Sequence, residues 1–336
     1  MSMEASVPVS DSVPFSVYRD PEGRLERDLM PSRLVAALET PGQLWVDIEA
    51  TARHQHALLE KVFHFHPLAI EDTLTPKTRV KLEEYPEYLF LVVPGVRFDA
   101  ATPDPYDIET TNLYGFLGHN YLVTVHSGPS LEVAEVQERI ERSPELLSRG
   151  VEMVLHGVVD ATVDHYLPMV DQVDVIVDEL EERVFGRHDA RSIEDVFKVR
   201  RLIVQLRRQL SPLREVLNTL TNRPHPCITP ATQVYFRDVY DHTMRIVESV
   251  EAFRDLLATV LDIHLTQASN QMNQVMKSLS VVATISLPLV VLAGVFGMNF
   301  ESLPLIHHPW GFAWAIGLMA ALAGAMFWIL RRRGWV

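Results

Sequence analysis

Two uncharged apolar runs close the chain, and they limit what it can fold into more than any other feature. Leu279–Met298 holds 20 residues and Trp310–Leu330 holds 21, with no Asp, Glu, Lys or Arg in either. A bilayer hydrocarbon core about 30 Å thick is crossed by roughly 20 helical residues, so each run is long enough to span one. The residues before them are charged throughout and read as water-soluble. The pattern predicts an α+β membrane protein, a large soluble body that ends in a membrane hairpin.

Average composition hides this division. A hydrophobic content of 47% and a charged content of 22% would suit a soluble enzyme. The formal net charge of −14 belongs to the soluble part, because the runs are neutral and Arg331, Arg332 and Arg333 follow the second. An acidic body repels nucleic acid and anionic lipid and suits cations. Positive charge flanking the runs sets their orientation. Lys277 precedes the first and three arginines follow the second, whereas the loop Asn299–Pro309 has one charged residue, Glu301. Both termini are therefore expected in the cytoplasm, with the hairpin in the cell inner membrane and the short loop outside. Met1–Pro14 is polar, without the apolar centre of a signal peptide. Cys227 is the single cysteine, so no intrachain disulfide forms, which fits a reducing compartment.

After that first segment, expected to be flexible, residues 15–128 read as a mixed α/β domain. Leu44–Ile48, Tyr88–Val93, Asn112–Leu117 and Tyr121–Val125 carry strand patterns, the last two flanking the turn residues Gly118-His119-Asn120. Helical patterns over Gln55–Phe65 and Ile70–Leu74 lie between them, so helices packed on a sheet are predicted. Residues 129–230 read as helical. Val151–Val184 is acidic toward its end, and Ser192–Leu220 carries Lys198, Arg200, Arg201, Arg207, Arg208 and Arg214. Two such neighbours predict an antiparallel pair with complementary charge. Ala231–Leu287 contains 57 residues without Gly or Pro, a helix about 85 Å long. Its soluble part (231–278) would serve as a stalk and continue without a break into the first span (279–298). An outer loop (299–309), a second span (310–330) and a basic cytoplasmic tail (331–336) complete the chain.

Asn273, Met276, Leu279, Ala283, Leu287, Val290 and Gly294 follow steps of three and four residues and so share one stripe of that helix. Several copies around an axis would turn the stripe into rings, with Met276, Leu279 and Leu287 forming an apolar throat that excludes ions by dewetting. The same spacing also serves plain helix-to-helix packing.

Four segments in this order resemble the CorA family of divalent-cation transporters: Tyr235–His242, Asn273–Lys277, Pro288-Leu289 and Gly294–Phe300 with its Gly297-Met298-Asn299 triplet. In the soluble part, Trp45–Ile48 and His66–Asp72 match that family in kind and order. The resemblance implies a funnel-shaped homopentamer with an α/β/α cytoplasmic domain, a long stalk helix lining the pore and a second span outside it. It places Gly297, Met298 and Asn299 at the outer mouth, where amide oxygens can accept hydrogen bonds from the waters that Mg²⁺ sheds reluctantly. The implied cargo is Mg²⁺, with Co²⁺ or Ni²⁺ as further candidates, driven inward by the membrane potential. The resemblance further implies regulatory Mg²⁺ between cytoplasmic subunits, at Asp72 and Asp238 with Glu71 beside the first.

The match has gaps. Leu305 follows Leu303-Pro304 where the family usually carries an acid, which leaves Glu301 as the loop's carboxylate, and Val290 replaces a polar throat residue. Both make the conduit less polar. His307-His308 and the group His54, His56, His64 and His66 open a rival reading as a Zn²⁺ transporter of the same superfamily, because imidazole suits zinc better than magnesium. A membrane-anchored binding protein that does not conduct is the alternative from another class. No phosphate-cradling glycine loop, nucleophile elbow or His-Glu-x-x-His motif occurs, which disfavours an enzyme.

Overall fold

The computed structural model describes residues 13–75, 78–99, 101–186, 190–298 and 308–335. Most of the expected N-terminal segment lies outside these residues. The elements run β1 (Phe15–Arg19), β2 (Leu25–Arg27), α1 (Pro31–Glu39), β3 (Gln43–Glu49), α2 (Arg53–Lys61), α3 (Pro67–Leu74), β4 (Lys81–Glu84), β5 (Leu89–Phe98), β6 (Ile108–Leu117), β7 (Tyr121–His126) and α4 (Leu131–Arg142). After a 3₁₀ segment, Pro144–Arg149, come α5 (Val151–Asp164), α6 (Tyr166–Gly186), α7 (Ala190–Asn222), α8 (Pro230–Phe296) and α9 (Gly311–Arg332).

The strands form one seven-stranded sheet in the order β2-β1-β3-β7-β6-β5-β4. All neighbours are antiparallel except β3 and β7, whose parallel register sets Asp47 beside Thr124 and Glu49 beside His126. Side chains alternate across a strand, so Leu44, Val46 and Ile48 of β3 enter a core with Leu34 of α1, Leu59 of α2 and Ala69 of α3. Trp45 and Asp47 are also buried, and by the same alternation they point to the opposite face. There a Cβ added at Gly115 of β6 would stand 3.4 Å from Leu155 of α5. Helices thus pack on both faces of the sheet.

The expected strands appear as β3, β5, β6 and β7, joined by β1, β2 and β4. The sequence Lys-Leu-Glu-Glu of β4 has no apolar alternation, because it is an edge strand and charge protects an edge from further pairing. Strand β5 runs on through Pro94 to Phe98; β4 ends opposite Val92, so the proline sits where β5 is itself an outer edge.

Two helical expectations are corrected. Val151–Val184 is broken at His165 into α5 and α6. Pro168 supplies the cause, since its ring would clash with the carbonyl of Asp164 in an unbroken helix. Among the described residues, the ion pair that links α6 to α7 is Arg183 to Asp195 at 3.1 Å, the reverse of the expected polarity. The pair packs through buried Val173, Val177 and Leu180 on α6 and Val199, Leu206 and Leu210 on α7, while most charges face solvent.

The chain divides into two compact units, residues 1–258 and 259–336. Helix α8 is continuous for 67 residues, about 100 Å, with Pro288 inside it. In the second unit, the apolar windows of α8 and α9 are 0% buried. A core helix of a soluble protein would be covered, so these two helices need lipid or other chains around them.

Candidate functional site

In the second unit, Val281, Ile285, Leu289, Leu292 and Phe296 of α8 are partly covered, and so are Ala315, Met319, Leu322, Met326 and Leu330 of α9. Each set repeats at three or four residues, the pattern of two helices shielding one stripe each. At about 100° per residue, the covered stripe of α8 lies roughly opposite the stripe Asn273, Met276, Leu279, Ala283, Leu287, Val290 and Gly294. All seven of those residues are exposed. The chain therefore covers one side of its long helix and leaves the other bare, with apolar Leu279, Leu287 and Val290 more than 60% exposed.

Helix α8 ends at Phe296, and the Gly297 and Met298 amides donate to the Ala293 and Val295 carbonyls at 2.9 and 3.3 Å. A Cβ at position 297 would come within 3.2 Å of the Ala293 carbonyl oxygen, which favours glycine there. Asn299, Glu301, Leu305 and His307 lie outside the described residues. At the other end of the hairpin, Lys277 Nζ donates to the Gly334 carbonyl at 2.7 Å, and the Arg332 guanidinium sits 5.4 Å from the centre of the Trp328 ring. Amphipathic indoles and basic groups at the end of a span suit the headgroup region.

In the first unit, Glu71 and Asp72 stand on α3, which His66 caps by accepting from the Leu68 amide. They line a recess of about 590 Å³ together with Leu68, Lys81, Glu83, Glu84 and Tyr85. Lys81 Nζ lies 2.7 Å from Asp72 Oδ2 and 2.6 Å from Glu83 Oε1. Burial works against its charge, but the hydrogen bonds and charges of both carboxylates outweigh it and raise its pKa. Burial, aided by Glu83, pushes the Tyr85 hydroxyl up to about 12. The recess is thus four carboxylates around one ammonium. Lys81 was not foreseen, although its position opposite Val92 follows from the β4–β5 register.

Asp238 is not among the residues lining this recess. It lies on α8 with its carboxylate largely exposed, 3.9 Å from His242 Nε2 one turn on. His242 belongs to a group that sequence reasoning missed. Asp160 and Asp164, one turn apart on α5, and His242 offer ligand atoms all within 4.8 Å of one another. Burial raises the pKa of Asp160, against the opposing influence of His156, and burial lowers that of His156, whose ring meets Tyr235 and Phe236 edge-on. His242 Nδ1 is buried without a hydrogen-bond partner. Two carboxylates and an imidazole whose Nδ1 has no hydrogen-bond partner form a donor set for a divalent cation. The i, i+4 spacing of Asp160 and Asp164 was the available signal; their meeting with α8 was not.

The histidines of 54–66 do not converge. His56 bonds Thr73 Oγ1 at 2.9 Å and His66 is spent on its cap. Among the described residues, no histidine other than His242 joins a group of three or more metal-capable side chains.

The family model described as CorA-like Mg²⁺ transporter protein matches residues 42–332. YfjQ of Bacillus subtilis is 34% identical over 313 residues, covering 92% of this chain and 96% of its own. The cobalt/magnesium transport protein CorA of Thermotoga maritima is 33% identical over 296 residues, covering 87% and 83%. The fold matches the complete structure of the CorA magnesium transporter from Methanocaldococcus jannaschii with a TM-score of 0.79 at 22% identity, over 96% of this chain and 98% of that one.

Proposed function

The chain belongs to the CorA-like Mg²⁺ transporter family, and from that premise we propose that it carries Mg²⁺ into the cell as a homopentamer, with α8 lining the conduit and α9 outside it. The bare stripe of α8 carries this reading. A helix covered by its own partner on one side and exposed on the other is complete when further copies close around the exposed side. Five copies would set Leu279, Leu287 and Val290 as successive apolar rings. Such a throat stays dry at rest and conducts when it widens enough to wet.

Asn299 stands at the outer mouth in this reading and holds the ion through its hydration shell. Both termini are cytoplasmic, consistent with the basic residues that flank the hairpin. Transport needs no nucleotide, since a divalent ion moving down 100 mV gains about 4.6 kcal/mol, twice the value per elementary charge. Co²⁺, the other cargo named for the Thermotoga relative, is accepted by the same path. Internal Mg²⁺ regulates it through Asp72, Glu71 and Asp238 between subunits, and the group Asp160, Asp164 and His242 offers a further cation site. Because His242 lies on α8, an event at that site acts on the helix that lines the throat.

Reconstituted vesicles test the proposal. The intact protein should take up Mg²⁺ and Co²⁺ faster than Zn²⁺, and Asn299→Ala should abolish uptake while the pentamer persists in size analysis. An assembled protein impermeable to every divalent ion would refute it and leave the hairpin as an anchor.

A further inference from the structure

His126, the last residue of β7, has a hydrogen-bond acceptor at each of its two ring nitrogens. Its Nε2 lies 3.0 Å from Asp47 Oδ2, and its Nδ1 lies 2.7 Å from the Gly128 carbonyl oxygen and 3.8 Å from Glu49 Oε2. A neutral imidazole carries one N–H. With one proton, either the Asp47 carboxylate or the Gly128 carbonyl would face a nitrogen lone pair. The geometry fits the doubly protonated ring.

The acceptors are built in. Asp47 is 9% exposed and takes further bonds from Thr124 Oγ1 at 2.6 Å and Gln137 Nε2 of α4 at 3.1 Å. Thr124 Oγ1 in turn accepts from Trp45 Nε1. Both Glu49 oxygens accept from the Gly128 amide, at 3.0 and 3.1 Å. Gly128 is thus held at both ends, its N–H by Glu49 and its C=O by His126, in a backbone conformation (φ +74°) that suits glycine. Two residues on, Ser130 caps α4. Val136 of α4 lies 3.5 Å from where a Cβ at Gly157 of α5 would stand, and α5 carries Asp160 and Asp164.

We propose that His126 is a proton-operated latch: charged, it donates at once to the Gly128 carbonyl of the turn at residues 127–129 and to Asp47 of strand β3, and on losing its proton it keeps only one of these two bonds, so that alkalinisation loosens the turn that leads into α4 and reaches the α4–α5 pair. The charged groups facing it are Asp47 and Glu49 of β3 and, across a small cavity shared with Thr111 of β6 and Thr162 of α5, Glu132 of α4. Burial opposes the imidazolium, but the Asp47 bond and charge, the Gly128 carbonyl and Glu49 outweigh it and push the pKa up to about 8. A raised folded-state pKa means the latch is fully set below about 6.5 and is lost as pH rises through about 8. That the turn faces the cytoplasm rests on the topology proposed above; the latch itself does not.

The test uses the full-length protein in lipid nanodiscs. Deuterium exchange at the His126 ring C2 position, read by mass spectrometry from pH 5.5 to 9.5, should show a midpoint near 8, and a midpoint at or below the ordinary value of about 6.5 overturns the proposal. Backbone protection of residues 126–137, corrected for the intrinsic pH dependence of exchange, should fall by up to about 30-fold between pH 5.5 and 9.5. His126→Gln should abolish that fall, and Asp47→Asn should move its midpoint downward. Protection that is flat with pH in the wild type, or falls equally in His126→Gln, overturns the latch. None of these readouts requires transport, so a failed latch and a failed transporter reading are told apart.

Discussion

Replacing Lys81 by Met keeps an aliphatic stem and removes the ammonium that lies 5.5 Å from the centre of the Phe90 ring, 2.7 Å from Asp72 and 2.6 Å from Glu83. The recess then holds Glu71, Asp72, Glu83 and Glu84 without an opposing ammonium, a change from three net negative charges to four. The side chains of the three paired residues are 25–38% exposed, so solvent screens both pairs. Each is worth about 0.5–1 kcal/mol, and the two together about 1–2 kcal/mol. In EDTA the variant should melt lower by roughly 2–8 °C, at about 2–4 °C per kcal/mol for a unit of this size. A cation no longer competes with Lys81 for the Asp72 oxygen, so the apparent Mg²⁺ dissociation constant should tighten by about 5- to 30-fold. Thermal melts of the purified protein over a Mg²⁺ titration read both quantities, and flux into vesicles should be inhibited at lower internal Mg²⁺. Unchanged or weaker Mg²⁺ stabilisation in Lys81→Met would refute Asp72 as a cation ligand and leave it as the partner of a lysine.

Three further outcomes rest on contacts inside the first unit. Tyr166 is fully buried and its hydroxyl donates to the Pro94 carbonyl at 2.8 Å, so Tyr166→Phe should lose about 1–2 kcal/mol in denaturant melts. His242→Ala removes the imidazole from the Asp160 and Asp164 group and should weaken Co²⁺ binding by about tenfold or more, with loss of the nitrogen-ligand component of the visible cobalt spectrum. The pKa of His126 is raised to about 8, so its contribution to stability should fall by about 2 kcal/mol as pH rises from 5.5 to 9.5; His126→Gln should flatten that slope in urea titrations.

What the sequence determined by itself is what repeats locally. Uncharged length marks the membrane helices, unbroken helical composition marks α8, apolar alternation marks β3, and the turn residues Gly118-His119-Asn120 between two strand-like runs mark β6 and β7. Each signal is written within a stretch no longer than the element it announces, because burial of one face requires the period of that element. Elements lacking that requirement were illegible: β4 is a charged edge strand, and the break at His165 depended on reading Pro168 against a carbonyl four residues earlier.

The polar groups follow a different rule, since their partners come from distant elements. His126 meets Asp47 and Glu49 because β3 and β7 pair in parallel with residue 49 beside residue 126. Asp160 and Asp164 meet His242 because α5 and α8 bring them together, and Lys81 meets Asp72 because β4 pairs with β5 in one register. A carboxylate's charge state and its availability to a cation depend on neighbours within a few ångströms. Those neighbours are chosen by sheet order and helix packing, which no local period encodes.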